Sequence, residues 1–159
     1  MPFRVFVSSP VTGIETFRYE IMSAARHAKR SRKFEFFFFE HHENARVEGK
    51  TICESIFEQS GQNFDAFFVF FRDRVGAGTI EELDYFTNVI LKNNPSCQLW
   101  WSQIYYDPPT NAVDDFLDRL HEHNTGLRVV PGEELNDKPG VLKGRFTAKL
   151  FETMGSIDR

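Results

Sequence analysis

The stretch Asp-Ala-Phe-Phe-Val-Phe-Phe-Arg-Asp-Arg-Val-Gly-Ala-Gly-Thr-Ile-Glu-Glu-Leu-Asp, from Asp65 to Asp84, leaves this chain few folds to choose from. Ala66 to Phe71 is an unbroken apolar run of strand length, the pattern of a strand buried on both faces of a parallel sheet. Arg72 to Gly78 then form a charged, glycine-containing loop, and Thr79 opens a helix carrying Glu81, Glu82 and Asp84. A buried parallel strand that leads through a loop into a helix places those carboxylates at the strand's carboxyl end. In open α/β sheets that is where ligands bind.

The remaining segments repeat the alternation. Phe3 to Ser8 reads as a first strand, and Ile14, Phe17, Ile21, Ala25 and Ala28 fall at helical spacing. Phe34 to Phe39 reads as a second strand and Thr51 to Ser60 as a second helix; Asp65 to Phe71 is the third strand. The third helix is expected over Thr79 to Lys92, with Leu83, Phe86 and Ile90 facing the sheet, and Asn93-Asn94-Pro95 ends it. A fourth strand follows from Gln98 to Trp101, extendable to Tyr105. A fourth helix spans Val113 to His123, a fifth strand Leu127 to Val130 and a last helix Val141 to Met154. Alternating strands and helices predict parallel pairing. The expectation is one flavodoxin-like, three-layer α/β domain over residues 1–159, with a five-stranded parallel sheet in the order 2-1-3-4-5 and a switch point between strands one and three.

Composition narrows the function classes. At 159 residues the chain can bury one sizeable core. A net charge of −4 argues against a nucleic-acid partner. The basic stretch Arg26, Lys29, Arg30, Arg32 and Lys33 reads as the end of the first helix, where cations complement the dipole, with an anion site as the competing reading. Cys53 and Cys97 form neither a disulfide framework nor a Cys-x-x-Cys pattern. Pro2 and Arg4 lead straight into a strand, which gives no signal-peptide pattern, and no apolar run is long enough to span a bilayer. No membrane partner is expected, and a reducing cytoplasm is the expected compartment.

The predicted topology gathers two groups of candidate residues. Ser8, Ser9 and Thr12 follow strand one and offer hydroxyls and backbone amides near a helix start, suited to ribose or phosphate. Arg72, Arg74, Gly76, Gly78, Thr79 and Glu82 follow strand three. The two glycines permit close approach of a ligand to the backbone. A carboxylate at Glu82 can act as nucleophile or ion-pair stabiliser when a glycosidic bond breaks through an oxocarbenium-like state. A structural reading competes: Thr79-Ile-Glu-Glu82 fits the Ser/Thr-x-x-Glu capping box. Asp73, Arg72 and Arg74 are most simply a solvated loop. His41 and His42, beside Glu40 and Glu43, have poor spacing for ligands, so no metal is expected. Phe36 to Phe39 reads as core strand. Trp100 and Trp101 point to opposite faces, which would let one line a pocket while the other fills core.

Val5-Phe-Val-Ser-Ser-Pro10, Arg18 in the first helix, Phe36 to Glu40, the strand from Asp65 and Gly78-Thr-x-x-Glu82 together resemble the TIR-like, nucleoside deoxyribosyltransferase-like superfamily. The likeness spans nearly the whole chain. It is strongest toward the uncharacterised TIR-like domain found at the N-terminus of bacterial signalling and defence NTPases. The chain departs from the deoxyribosyltransferase pattern at Asp73-Arg-Val-Gly76-Ala-Gly78, where Asp-x-Gly is usual, and at Ser8-Ser9-Pro10, where Ala-Gly-Pro is found. The resemblance implies a catalytic glutamate at Glu82, attacking the sugar or assisting cleavage of the nicotinamide–ribose bond, with Ser8 and Ser9 at the nucleotide. It implies a nucleotide partner, NAD as a substrate rather than a cofactor, and a homo-oligomer. The expected function is therefore nucleotide N-glycoside hydrolysis in signalling or defence; the alternative is a non-catalytic self-association module. A phosphate-accepting response-regulator-like domain is a weaker third class, because Ser8 and Ser9 stand where an acidic cluster would be needed.

Overall fold

The structure, a computed structural model, describes residues 1–9, 14–38, 63–72, 75, 77–104, 114–122, 134–135 and 139–157. It is an α/β fold built on four parallel strands, β1 (Phe3–Ser8), β2 (Phe34–Phe38), β3 (Ala66–Phe71) and β4 (Gln98–Ile104), in the order β2-β1-β3-β4. The helices are α1 (Glu15–Lys29), α2 (Ala77–Tyr85), α3 (Asp114–Glu122) and α4 (Pro139–Ile157). The α2 path continues through a π-helical stretch, Phe86–Ile90, and a last α turn, Leu91–Asn93. At the outer edge of β4, Glu134–Leu135 add a two-residue parallel pairing. The second helix expected at Thr51 to Ser60 and the fifth strand expected at Leu127 to Val130 lie outside the described residues, as does Phe39.

The position of β3 follows from its side chains. All six residues are buried. Such a strand needs a neighbour on each edge to satisfy its backbone and a cover on each face. β1 lies on one edge, pairing Val5 with Ala66 and Val7 with Phe68, and β4 on the other, pairing Phe67 with Leu99 and Val69 with Trp101. Strand alternation then splits the core in two. Val5, Val7, Ala66, Phe68, Phe70 and Trp100 pack with Phe17 and Ile21 of α1 and with Leu142, Phe146 and Leu150 of α4. Phe6, Phe67, Val69, Phe71, Leu99 and Trp101 pack with Leu83, Phe86 and Ile90 along the α2 path and with Phe116 and Leu120 of α3. Trp100 and Trp101 do take opposite faces, but both are fully buried, so neither lines an open pocket. Each fills the space under a helix pair, which makes both core residues.

At the amino ends of the strands, Asp65 joins three of them. Its Oδ2 accepts from the Arg4 backbone N–H at 2.8 Å, its own N–H donates to the Arg4 carbonyl at 2.8 Å, and its carbonyl accepts from the Gln98 N–H at 2.9 Å. Arg26, His27 and Lys29 occupy the last turn of α1, the end whose dipole favours cations. Arg32, with φ of 61°, makes the left-handed turn into β2. α2 begins two residues before the expected Thr79. The first helical turn has no intrahelical amide bonds to lose, so Gly78 is tolerated there. Pro139 at the first position of α4 suits the same rule, its missing N–H being one that no helix bond would use.

The aromatic stack in the first cluster supplies a test. Phe68 is fully buried and lies 4.9 Å from Phe146 and 5.4 Å from Phe70, centroid to centroid. Phe68→Ala should cost about 3–5 kcal/mol in chemical denaturation. Phe151→Ala, at a side chain 67% exposed, should stay within about 0.5 kcal/mol of wild type. Equal midpoints for the two variants would contradict this placement of the core.

Candidate functional site

The carboxyl ends of β1 and β3 face the start of α2. Ser8, the last residue of β1, pairs in register with Val69. Phe6 belongs to the α2 side of the sheet, so alternation carries Ser8 to that side as well. Glu82, one turn into α2, comes down onto it. Ser8, Ser9, Thr79 and Glu82 are all buried, with Glu82 only 4% exposed. Arg18, in the first turn of α1, completes the group: its Nη1 donates to Ser9 Oγ at 2.8 Å. Two of the three residues predicted after strand one, Ser8 and Ser9, and the glutamate predicted after strand three are thus gathered at one place.

The capping-box reading does not describe this helix. α2 begins at Ala77, so Thr79 is already inside it and is not its N-cap. The Glu82 carboxyl turns to Ser8 and Arg18. Burial sets its electrostatics. Desolvation raises its pKa from the ordinary 4.5 to about 8, opposed by the Ser8 hydroxyl and the Arg18 charge and reinforced by the Glu81 charge. The Ser8 hydroxyl lies close enough to favour the charged form. Even so, among the described residues neither Ser8 Oγ nor Glu82 Oε2 completes a hydrogen bond. Two buried polar atoms with unused capacity at a sheet's carboxyl end can accept a ligand's hydroxyl or stabilise a positive centre.

Arg72 follows β3 directly and is half-buried. Gly78 lies in the first turn of α2. Thr12, Arg74 and Gly76 lie outside the described residues, as do Asp73, His41 and His42. Among the described residues no group of three or more His, Cys, Asp or Glu side chains is placed to hold a metal ion. No helix among them is long and apolar enough to cross a membrane. Arg18 is the residue that reasoning from pattern did not place in the site. Its signal was its position: a cation between Phe17 and Ile21, whose burial sets α1 against the sheet.

No family model matches the chain, and no curated protein does. Among solved structures, a conserved protein from Enterococcus faecalis V583 superposes with a TM-score of 0.44 and 13% sequence identity, over 92% of this chain and 98% of its own. A likeness that loose carries no argument about chemistry.

The buried carboxyl makes stability depend on pH. Below pH 4.5 the folded and unfolded chains both hold the proton at Glu82. Between 4.5 and about 8 the folded protein keeps a proton that the unfolded chain releases, so stability falls as pH rises; above about 8 the full penalty is present. Glu82→Gln cannot ionise. It should therefore be more stable than wild type by a margin that widens from pH 5 to pH 8. The margin should reach roughly several kcal/mol, since each tenfold difference in proton affinity between the folded and unfolded chains is worth about 1.4 kcal/mol. Urea melts across that range measure the margin, and a pH-independent difference would rule out a buried neutral Glu82.

Proposed function

We propose that this domain cleaves the N-glycosidic bond of a nucleotide, of the NAD type or a nucleoside monophosphate. Its fold is then the flavodoxin-like, three-layer, five-stranded domain of the TIR-like superfamily, with sheet order 2-1-3-4-5. The observation that carries the reading is the buried Glu82 carboxyl, with Oε2 unpartnered among the described residues, beside the Ser8 hydroxyl and under the influence of Arg18. In the reaction the C1′–N electron pair leaves with the base and positive charge develops on the ribose. An ionised Glu82 stabilises or traps that cation; water then adds through its oxygen to C1′, its proton passes to the departing base or to solvent, and the products are the free base and the base-free sugar phosphate. Ser8, Ser9 and Thr12 hold ribose or phosphate, Arg72 or Arg74 neutralises phosphate, Gly76 and Gly78 are the residues whose missing side chains permit close approach, and Thr79 binds with them.

A carboxyl held near pKa 8 is mostly protonated in the empty site at neutral pH. A developing ribosyl cation favours its ionised form. This matches a group that acts on positive charge, and it fixes the sign of the pH dependence. Activity toward a fixed substrate should rise with pH and level off above about 8, because only the carboxylate stabilises the cation. Arg18→Gln removes a charge that lowers this pKa, so it should move the inflection to higher pH.

The deciding experiment incubates the domain with NAD, NADP and a panel of nucleoside monophosphates and measures released base. Glu82→Gln should lower the rate by about a thousandfold, on the order of 4 kcal/mol of barrier. Equal release by wild type and variant would reject Glu82 as the catalytic group.

The second reading, a self-association module in signalling or defence within the cytoplasm, draws on exposed aromatics: Tyr19 is 62% and Phe151 67% exposed. If the site works within a homo-oligomer, specific activity should increase with protein concentration in parallel with association measured by light scattering. Full turnover by a monomer would separate the two. No base release from any substrate by the associated protein would favour the module.

A further inference from the structure

A groove of about 750 Å³ runs between α1 and α4, away from the Glu82 site. Ala24, Ala28, Leu150 and Met154 supply its apolar surface, Arg26, Arg30 and Lys143 supply its charge, and His27 lines it beside them. Among the described residues no carboxylate lines it, on a chain with 23 acidic and 19 basic residues. The α1 dipole accounts for cations at that helix's end. It does not account for Lys143, which stands in the second turn of α4 and reaches the same groove. Lys143 is held there by Glu20 on α1, 3.2 Å away. Arg26, His27 and Arg30 have no ion-pair partner among the described residues, and all three are exposed. Phe151, also lining the groove, is 67% exposed. The groove thus combines an exposed aromatic, an apolar floor and two arginines, Arg26 and Arg30, that have no ion-pair partner among the described residues.

We propose that this groove binds an acidic amphipathic helix of a partner protein. Two packed helices leave a channel of the shape a third helix fills. From Lys143 to Met154 the groove is about 17 Å long, or three helical turns. Arg26, in the last turn of α1, and Arg30, its C-cap residue with helical backbone angles, stand about one turn apart, a spacing that matches two carboxylates at i and i+4 on the incoming helix. Its apolar side chains would sit on Leu150, Phe151 and Met154. A membrane surface fits less well, because the site is a channel rather than a flat apolar face. A nucleic acid fits less well because of the apolar floor and the net charge of −4.

The test uses a fluorescein-labelled helical peptide of roughly four turns with Glu at two positions four apart and Leu on the adjoining face. It is titrated with the full chain in fluorescence anisotropy. Binding should be saturable and weaken as salt is raised. The double variant Arg26→Glu, Arg30→Glu should weaken it tenfold or more, and Phe151→Ala several-fold, while circular dichroism and base release stay as in wild type. A peptide with Lys in place of each Glu should not bind. Undiminished binding by the double variant, or equal binding of the Lys peptide, would overturn the proposal. So would tighter binding to phosphatidylserine vesicles or to single-stranded DNA than to the acidic peptide, or loss of the free groove through self-association in sedimentation.

Discussion

The structure depends on the burial of β3 along its whole length. A strand with no polar side chain has only its backbone to satisfy, and parallel neighbours on both edges do that. It also has two apolar faces, and each needs helices over it. α1 and α4 cover one, and α2 and α3 the other. Nothing charged can stand along such a strand, so polar groups collect at its ends. Asp65 joins three strands at one end. At the other, the chain leaves through Arg72 toward α2 and Glu82.

Glu82 shows how little freedom that arrangement leaves a carboxyl. Leu83, its neighbour, is pulled into the core, and the same turn carries Glu82 down onto the end of β1. Desolvation outweighs the help from Ser8 and Arg18, so the group favours its neutral form. A residue that works against stability at neutral pH is of the kind that functional sites retain. Arg18 acts on both sides of the site at once, donating to Ser9 and lowering the pKa of Glu82. The coupling is geometric, since α1 and α2 start beside each other only because β1 and β3 are neighbours.

The helices that close the sheet also create surface. α1 and α4 share their inner faces with the core through Phe17, Ile21, Phe146 and Leu150. Their outer faces meet in the basic groove, where the aromatic Phe151 remains uncovered. The two features lie on different elements of the fold. The glutamate site depends on strand ends, and the groove depends on how two helices separated by more than a hundred residues of chain come together.

The sequence alone determined the alternation of elements, the central burial of Ala66 to Phe71 and the inward faces of α1 and α2, because apolar periodicity is a local property of the chain. It also brought Ser8, Ser9 and Glu82 into one neighbourhood, through the inferred order of strands one and three. It could not decide between a helix cap and a buried carboxyl at Glu82, since Thr79-x-x-Glu82 spells both. Only the start of α2 at Ala77, and the approach of β1, separate them. Nor could it place Arg18 against Ser9, bury both tryptophans, or set Lys143 beside Arg26 and Arg30. Those are meetings between residues far apart in the chain, fixed by the packing of helices on the sheet, and no local pattern records them.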